Sequence, residues 1–156
     1  MQERLLNKTI FCAGKMKGGD TMNINYIAVI AAAIINMIVG SLWYSPLLFG
    51  RQWMKLSGIT KEAMEAGKKG MSKKYLWSFI GALVMALVLA RIVDYAGAAT
   101  LARGALIGFW IWLGFIATTT LNSVLWSGKP LKLYVLENAH HLISLIIMGA
   151  VIAAWQ

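Results

Sequence analysis

The sequence predicts an all-α fold, an integral membrane four-helix bundle with a short interfacial helix in its first loop. Three observations carry that prediction. Of 156 residues, 59% are hydrophobic and 13% are charged, whereas a soluble domain holds about 45–50% apolar and about 25% charged residues. The apolar residues fall into four long runs, and most basic residues gather in the connections between them. A chain this short has too little interior to hide so much apolar surface from water. Soluble globular enzymes, disordered chains and disulfide scaffolds are thereby excluded, the last because Cys12 is the single cysteine.

The polar stretch 1–21 contains no signal-peptide apolar core. Within it, Lys17-Gly18-Gly19-Asp20 reverse-translates to a purine-rich ribosome-binding site shortly before the codon of Met22. Residues 1–21 therefore read as a non-native leader ahead of a start at Met22, the alternative being a short disordered tail. Residues 22–156 form a single four-span transmembrane domain. Its spans cover about 24–43, 75–93, 101–126 and 133–155, each long enough to cross a hydrocarbon core of ~30 Å as a helix. Inside lipid every backbone N–H and C=O must be paired within its own segment, so these runs are helices despite their Ile and Val content. Trp43, Trp77, Trp126 and Trp155 fall near span ends, where the amphipathic indole favours the membrane interface.

Loop 44–74 begins with Ser45-Pro46, which reads as an N-cap followed by proline in the first helical position. Apolar Leu47 to Leu56 interleaved with Arg51 and Lys55, ending at Gly58, predict the interfacial helix. A second turn starts at Thr60 as its cap. Loops 44–74 and 127–132 together hold nine Lys and Arg, against Arg91 and Arg103 near the other side once the leader is set apart. The positive-inside rule puts these two loops in the cytoplasm and both termini outside, in the cytoplasmic membrane of a prokaryote. Lys68, Lys69, Lys73 and Lys74 lie where anionic lipid headgroups would meet them. The net charge of +9 is therefore assigned to topology and lipid, and no nucleic-acid partner is expected, since no basic run on a polar domain is interleaved with aromatics.

Polar residues inside the spans are costly and usually face the bundle interior. They are Asn36 in the first span, Thr118, Thr119 and Asn122 in the third, and Glu137, Asn138, His140 and His141 in the fourth. Counting depth at about 1.5 Å per residue brings all of them to the half of the membrane that faces the cytoplasmic loops. This cluster is open to three readings: hydrogen-bond glue between helices, a cytoplasm-facing pocket built around His141 and Glu137, or half of a Glu-x-x-His metal site. The last lacks the second copy that di-iron bundles use, so neither a metal nor a cofactor is expected. Stripes of small residues (Ala28, Ala32, Asn36, Gly40; Ser78, Ala82, Ala86, Ala90; Gly104, Gly108; Gly149, Ala153) let helices approach closely. They pack the bundle and leave room for one homodimer face.

The string Leu42-Trp43-Tyr44-Ser45-Pro46-Leu47-Leu48-Phe49-Gly50 with Trp53-Met54 is distinctive. So are Gly108-Phe109, Trp112-Leu113-Gly114-Phe115, Ala117-Thr118-Thr119, Gly128-Lys129-Pro130-Leu131-Lys132-Leu133, Asn138 and His141. On these residues the chain resembles the small prokaryotic membrane proteins of domain-of-unknown-function family 1761, from about Met22 to Trp155. The resemblance implies four helices and a start at Met22, and it implies no activity. No nucleophile–base pair or phosphate loop stands in the sequence. The expected function is that of a structural or accessory multi-pass membrane protein without enzymatic activity. The alternative is a small homodimeric transporter or channel with a cytoplasm-facing polar site around His141, its small-molecule ligand unknown.

Overall fold

The computed structural model describes residues 24–67 and 70–155. The leader expected at 1–21, with Cys12, and two residues of the basic run, Lys68 and Lys69, lie outside them. Among the described residues six helices follow in order: α1 (Tyr26–Trp43), α2 (Gly50–Ser57), α3 (Lys61–Ala66), α4 (Met71–Tyr95), α5 (Leu101–Leu125) and α6 (Leu131–Ala154). No strand occurs among the described residues. Helices α1, α4, α5 and α6 are long and apolar enough to cross a membrane, and they run alternately up and down. The protein is an all-α membrane four-helix bundle, as the composition requires.

Caps explain most of the helix ends. Asn25 accepts from the Ile27 and Ala28 amides and starts α1. Thr60 accepts from the Ala63 amide and starts α3, and Thr100 does the same for α5 through Arg103. Each cap satisfies an amide that the first helical turn leaves without a partner. Gly58 ends α2 with φ +68°, a left-handed conformation that suits glycine. The start of α2 differs from the sequence expectation. Ser45 does not cap it; its hydroxyl instead donates to Leu42 O at 2.7 Å, closing the end of α1. Residues 45–49 form turns, and the helix begins at Gly50, whose amide donates to Ser45 O at 2.9 Å. A Cβ there would collide with the Tyr44 carbonyl, so this tight return needs glycine.

Helix α6 is the axis of the bundle: 44% of its apolar window is buried, against 17–28% for the other three. It packs most intimately on α5, while α1 lies across both α4 and α6. The α5–α6 contact is backbone on backbone. A Cβ on Gly104 would strike Gly149 O, and one on Gly108 would strike Leu145 O. This is how small-x-x-x-small spacing works in lipid, where close packing replaces the hydrophobic effect as the force between helices. Ala32 of α1 and Ala82, Ala86 and Ala90 of α4 are likewise buried in the core, with Leu89, Val93, Met148 and Ile152. All four small-residue stripes thus serve contacts within the bundle. The half of the bundle nearer residues 24 and 155 has an apolar interior of alanine, Leu89, Val93, Met148 and Ile152; the half capped by α2 carries His140, His141 and Asn36.

Candidate functional site

Asn36, Gly40 and Tyr44 recur every fourth residue along one side of α1 and its end. With Tyr75, Ser78 and Met85 of α4 and His140 and His141 of α6, they line a cavity of about 570 Å³. The exposed Ser41, Tyr75, Ser78 and Gly81 form its outer rim, so it opens sideways between α1 and α4.

His140 is the centre of this wall. It is buried, and its Nδ1 has no hydrogen-bond partner among the described residues. Its Nε2 lies 3.5 Å from Ser144 Oγ one turn along α6, a long contact for a hydrogen bond. Gly40 makes room for the ring: a Cβ there would stand 3.3 Å from Nε2. The ring centroid of Tyr44 is 5.3 Å away and that of His141 is 5.1 Å away. Buried polar atoms are nearly always paired, because leaving one unpaired costs about 1–3 kcal/mol. Nδ1 is sealed inside the wall, so the cavity meets the His140 ring by its other atoms.

The other polar residues separate into distinct groups. Glu137 accepts from Trp53 Nε1 at 3.2 Å, so its carboxylate ties the interfacial helix α2 to α6. Trp53 also packs edge-on against Tyr44, with ring centroids 5.4 Å apart. Tyr44, just beyond α1, has its phenol pKa pushed up to about 12, by burial first and by the neighbouring Glu137 charge second. Trp43 turns inward and donates to Leu136 O at 3.2 Å, unlike Trp77, Trp126 and Trp155, which stay exposed.

Asn138 belongs to a second network, between α5 and α6. Its amide donates to Thr120 Oγ1 and to Tyr134 O, both at 3.0 Å, and its backbone carbonyl accepts from Trp112 Nε1 at 3.0 Å. Here α5 contains a π-helical segment, Trp112–Ala117. A wider turn breaks the regular i→i−4 ladder, and side-chain hydroxyls serve the carbonyls there. Thr118 donates to Gly114 O, Thr119 to Phe115 O, Thr120 to Ile116 O, and Tyr134 to Ala117 O.

The predicted residues therefore divide four ways. Asn36, His140 and His141 meet at the cavity. Glu137 stands beside it under α2, and Asn138 lies on the α5 side. Thr118 and Thr119 bond their own helix on an exposed face, and Asn122 is exposed near the end of α5. Among the described residues, no three His, Cys, Asp or Glu side chains gather as a metal group. Sequence reasoning missed Tyr44, Tyr75, Trp53 and the two methionines, Met37 and Met85. The fourfold spacing of Asn36, Gly40 and Tyr44 was the available pointer to the first of these.

No curated protein and no solved structure matches the chain. A family model described as protein of unknown function (DUF1761) matches residues 27–153, which takes in all four spans, the interfacial helix and the histidine pair. The chain belongs to that family.

Proposed function

We propose that this is a non-enzymatic membrane protein that binds a small ligand in the recess beside His140 and His141. The carrying observation is the gathering of Asn36, Tyr44, His140 and His141 on the wall of a 570 Å³ cavity inside the spans, a volume within the range of about 300–1,000 Å³ typical of ligand sites. Leu89, Val93, Met148 and Ile152, each nearly or fully buried, close the bundle beyond the cavity. That apolar plug favours holding a ligand over conducting one. Residues outside the cavity, including the Trp53–Glu137 tie, then act as scaffold.

The protein is placed in the cytoplasmic membrane of a prokaryote with the recess in the inner half. Arg51, Lys55, Lys61, Lys73, Lys74, Lys129 and Lys132 all belong to the connections at that end of the bundle or to the helix starts beside them, in keeping with the positive-inside rule.

The binding reading is tested by native mass spectrometry of protein released gently from its own membranes. Wild type should carry a small-molecule adduct. Gly40→Leu, which fills the recess against His140, should lose it while keeping a cooperative melt. Bare protein mass in both samples would count against a binding site.

A further inference from the structure

A separate cavity of about 500 Å³ lies where the end of α1 and the start of α2 meet the first turns of α6. Trp43 and Phe49 make one wall, with ring centroids 4.6 Å apart. The indole N–H of Trp43 is already spent on Leu136 O at 3.2 Å, so this wall offers a ligand carbon and no hydrogen bond. The α6 side is built from Lys132, Val135, Leu136 and Ala139, whose spacing puts them on one helix face. With a rise of about 1.5 Å per residue, Ala139 lies roughly 10 Å further into the bilayer than Lys132. The cavity therefore has a cation at the membrane interface and hydrocarbon walls below it. Lys132 and Val135 are exposed, so it opens toward lipid.

The lining specifies an anionic amphiphile. Lys132 is the charged residue of the lining, Gln52 of α2 adds an amide, and no Asp or Glu contributes. The elements framing the mouth are basic too: α2 carries Arg51 and Lys55, the connection before α6 carries Lys129, and neither holds an acid. Lysines at this level of a membrane attract anionic headgroups. A free phosphate would leave the Trp43–Phe49 wall unused, and a plain hydrocarbon would leave Lys132 unanswered. A second copy of the chain would bring the same basic elements to the same level and be repelled.

We propose that this groove is a binding site for an anionic glycerophospholipid. Its phosphate pairs with Lys132 and accepts from the Gln52 amide, and one acyl chain lies against Trp43, Phe49 and Val135. The groove shares no lining residue with the histidine recess, so the two sites stand or fall separately.

The test uses the full chain in dodecyl maltoside micelles and three probes: dioleoyl phosphatidylglycerol, dioleoyl phosphatidylcholine and glycerol phosphate. Phosphatidylglycerol should raise the melting temperature saturably and be at least about fivefold more potent than phosphatidylcholine, the scale of one lysine at an anionic surface. Glycerol phosphate should be inert. Lys132→Gln should bring phosphatidylglycerol down to the level of phosphatidylcholine, whereas Lys129→Gln, the same charge change outside the groove, should keep the preference. Val135→Trp fills the groove from an exposed position where folding is not at stake, and it should weaken both lipids. Gly40→Leu, which blocks the histidine recess, should leave the phosphatidylglycerol shift unchanged. Equal losses in Lys132→Gln and Lys129→Gln would overturn the site in favour of diffuse surface charge. Equal potency of the two lipids would overturn the anionic head, and an unaltered Val135→Trp would overturn the acyl groove. Glycerol phosphate as potent as the lipid would make the ligand a free phosphate. A lipid-free dimer in native mass spectrometry that Val135→Trp dissociates would make the groove a contact between copies, and the proposal would fail.

Discussion

Asn25 and Trp155 join the first and last helices at the end of the bundle opposite α2. Asn25 Nδ2 donates to Trp155 O at 2.8 Å, while its Oδ1 accepts from the Ile27 and Ala28 amides at 3.1 and 3.2 Å. One side chain thus satisfies donors at the start of α1 and an acceptor just past the end of α6, two places where helices leave backbone groups open. Asn25→Ala should cost about 1–2 kcal/mol, the usual range for a lost cap. Asn25→Asp keeps the cap oxygens and loses only the donor, so it should cost less. Thermal melts in micelles rank the two; an alanine variant as stable as wild type would show the bond carries no stability.

The α5–α6 seam predicts a sharp contrast among glycines. A methyl group on Gly104 or Gly108 would meet backbone of α6, whereas one on Gly81 meets nothing within 4 Å. Backbone cannot yield as a flexible side chain does, so Gly108→Ala should destabilise by about 1–3 kcal/mol. Gly81→Ala should stay within about 1 kcal/mol of wild type. Denaturation midpoints of the two variants that failed to separate would refute the close seam.

Tyr44 should report the site's electrostatics. Burial and Glu137 push its phenol up to about 12, so the folded state favours the protonated form. The sign follows: the resulting stability is complete below the ordinary phenol pKa of about 10 and is lost as pH rises from there through 12. Difference absorbance between wild type and Tyr44→Phe isolates this phenolate. Its titration should move down in Glu137→Gln, though only partly, because burial is the larger cause.

At the start of α3, Glu62 has a carboxyl pKa below its ordinary value, through its own backbone N–H first and the Thr60 hydroxyl second. A depressed carboxyl supports the short helix at neutral pH, and that support is lost as pH falls through the folded-state pKa. In Thr60→Ala, carbon-detected NMR should show Glu62 titrating at higher pH than in wild type. An unchanged titration would mean the hydroxyl does not contribute.

Orientation is testable in a background with Cys12→Ser. The proposed topology requires Lys129→Cys to be shielded from an impermeant thiol reagent in intact cells and Ala99→Cys to react. The opposite pattern would invert the topology.

The four spans were legible without a structure because lipid leaves a long apolar run no alternative to a helix. Thr60 as a cap and Gly58 as a stop were legible for the same local reason: each needs only its own turn. The small-residue stripes also declared themselves, since spacing alone shows which residues share a face. Rotation of one helix against another was not legible. Counting depth brought Thr118, Thr119 and Asn122 to the same half of the membrane as His141, but depth does not fix the phase, and the π segment at Trp112–Ala117 alters the phase of everything after it. One inserted residue turns a helix by about 100°. Thr118 and Thr119 then bond their own carbonyls, and the histidines face α1 and α4. The sequence by itself determined that polar groups lie at one end of a four-helix membrane bundle. Only the tertiary structure decided that Glu137 serves Trp53, that Asn138 serves Thr120 and that His140 and His141 share a cavity with Asn36, because those partnerships depend on the close approach of separate backbones.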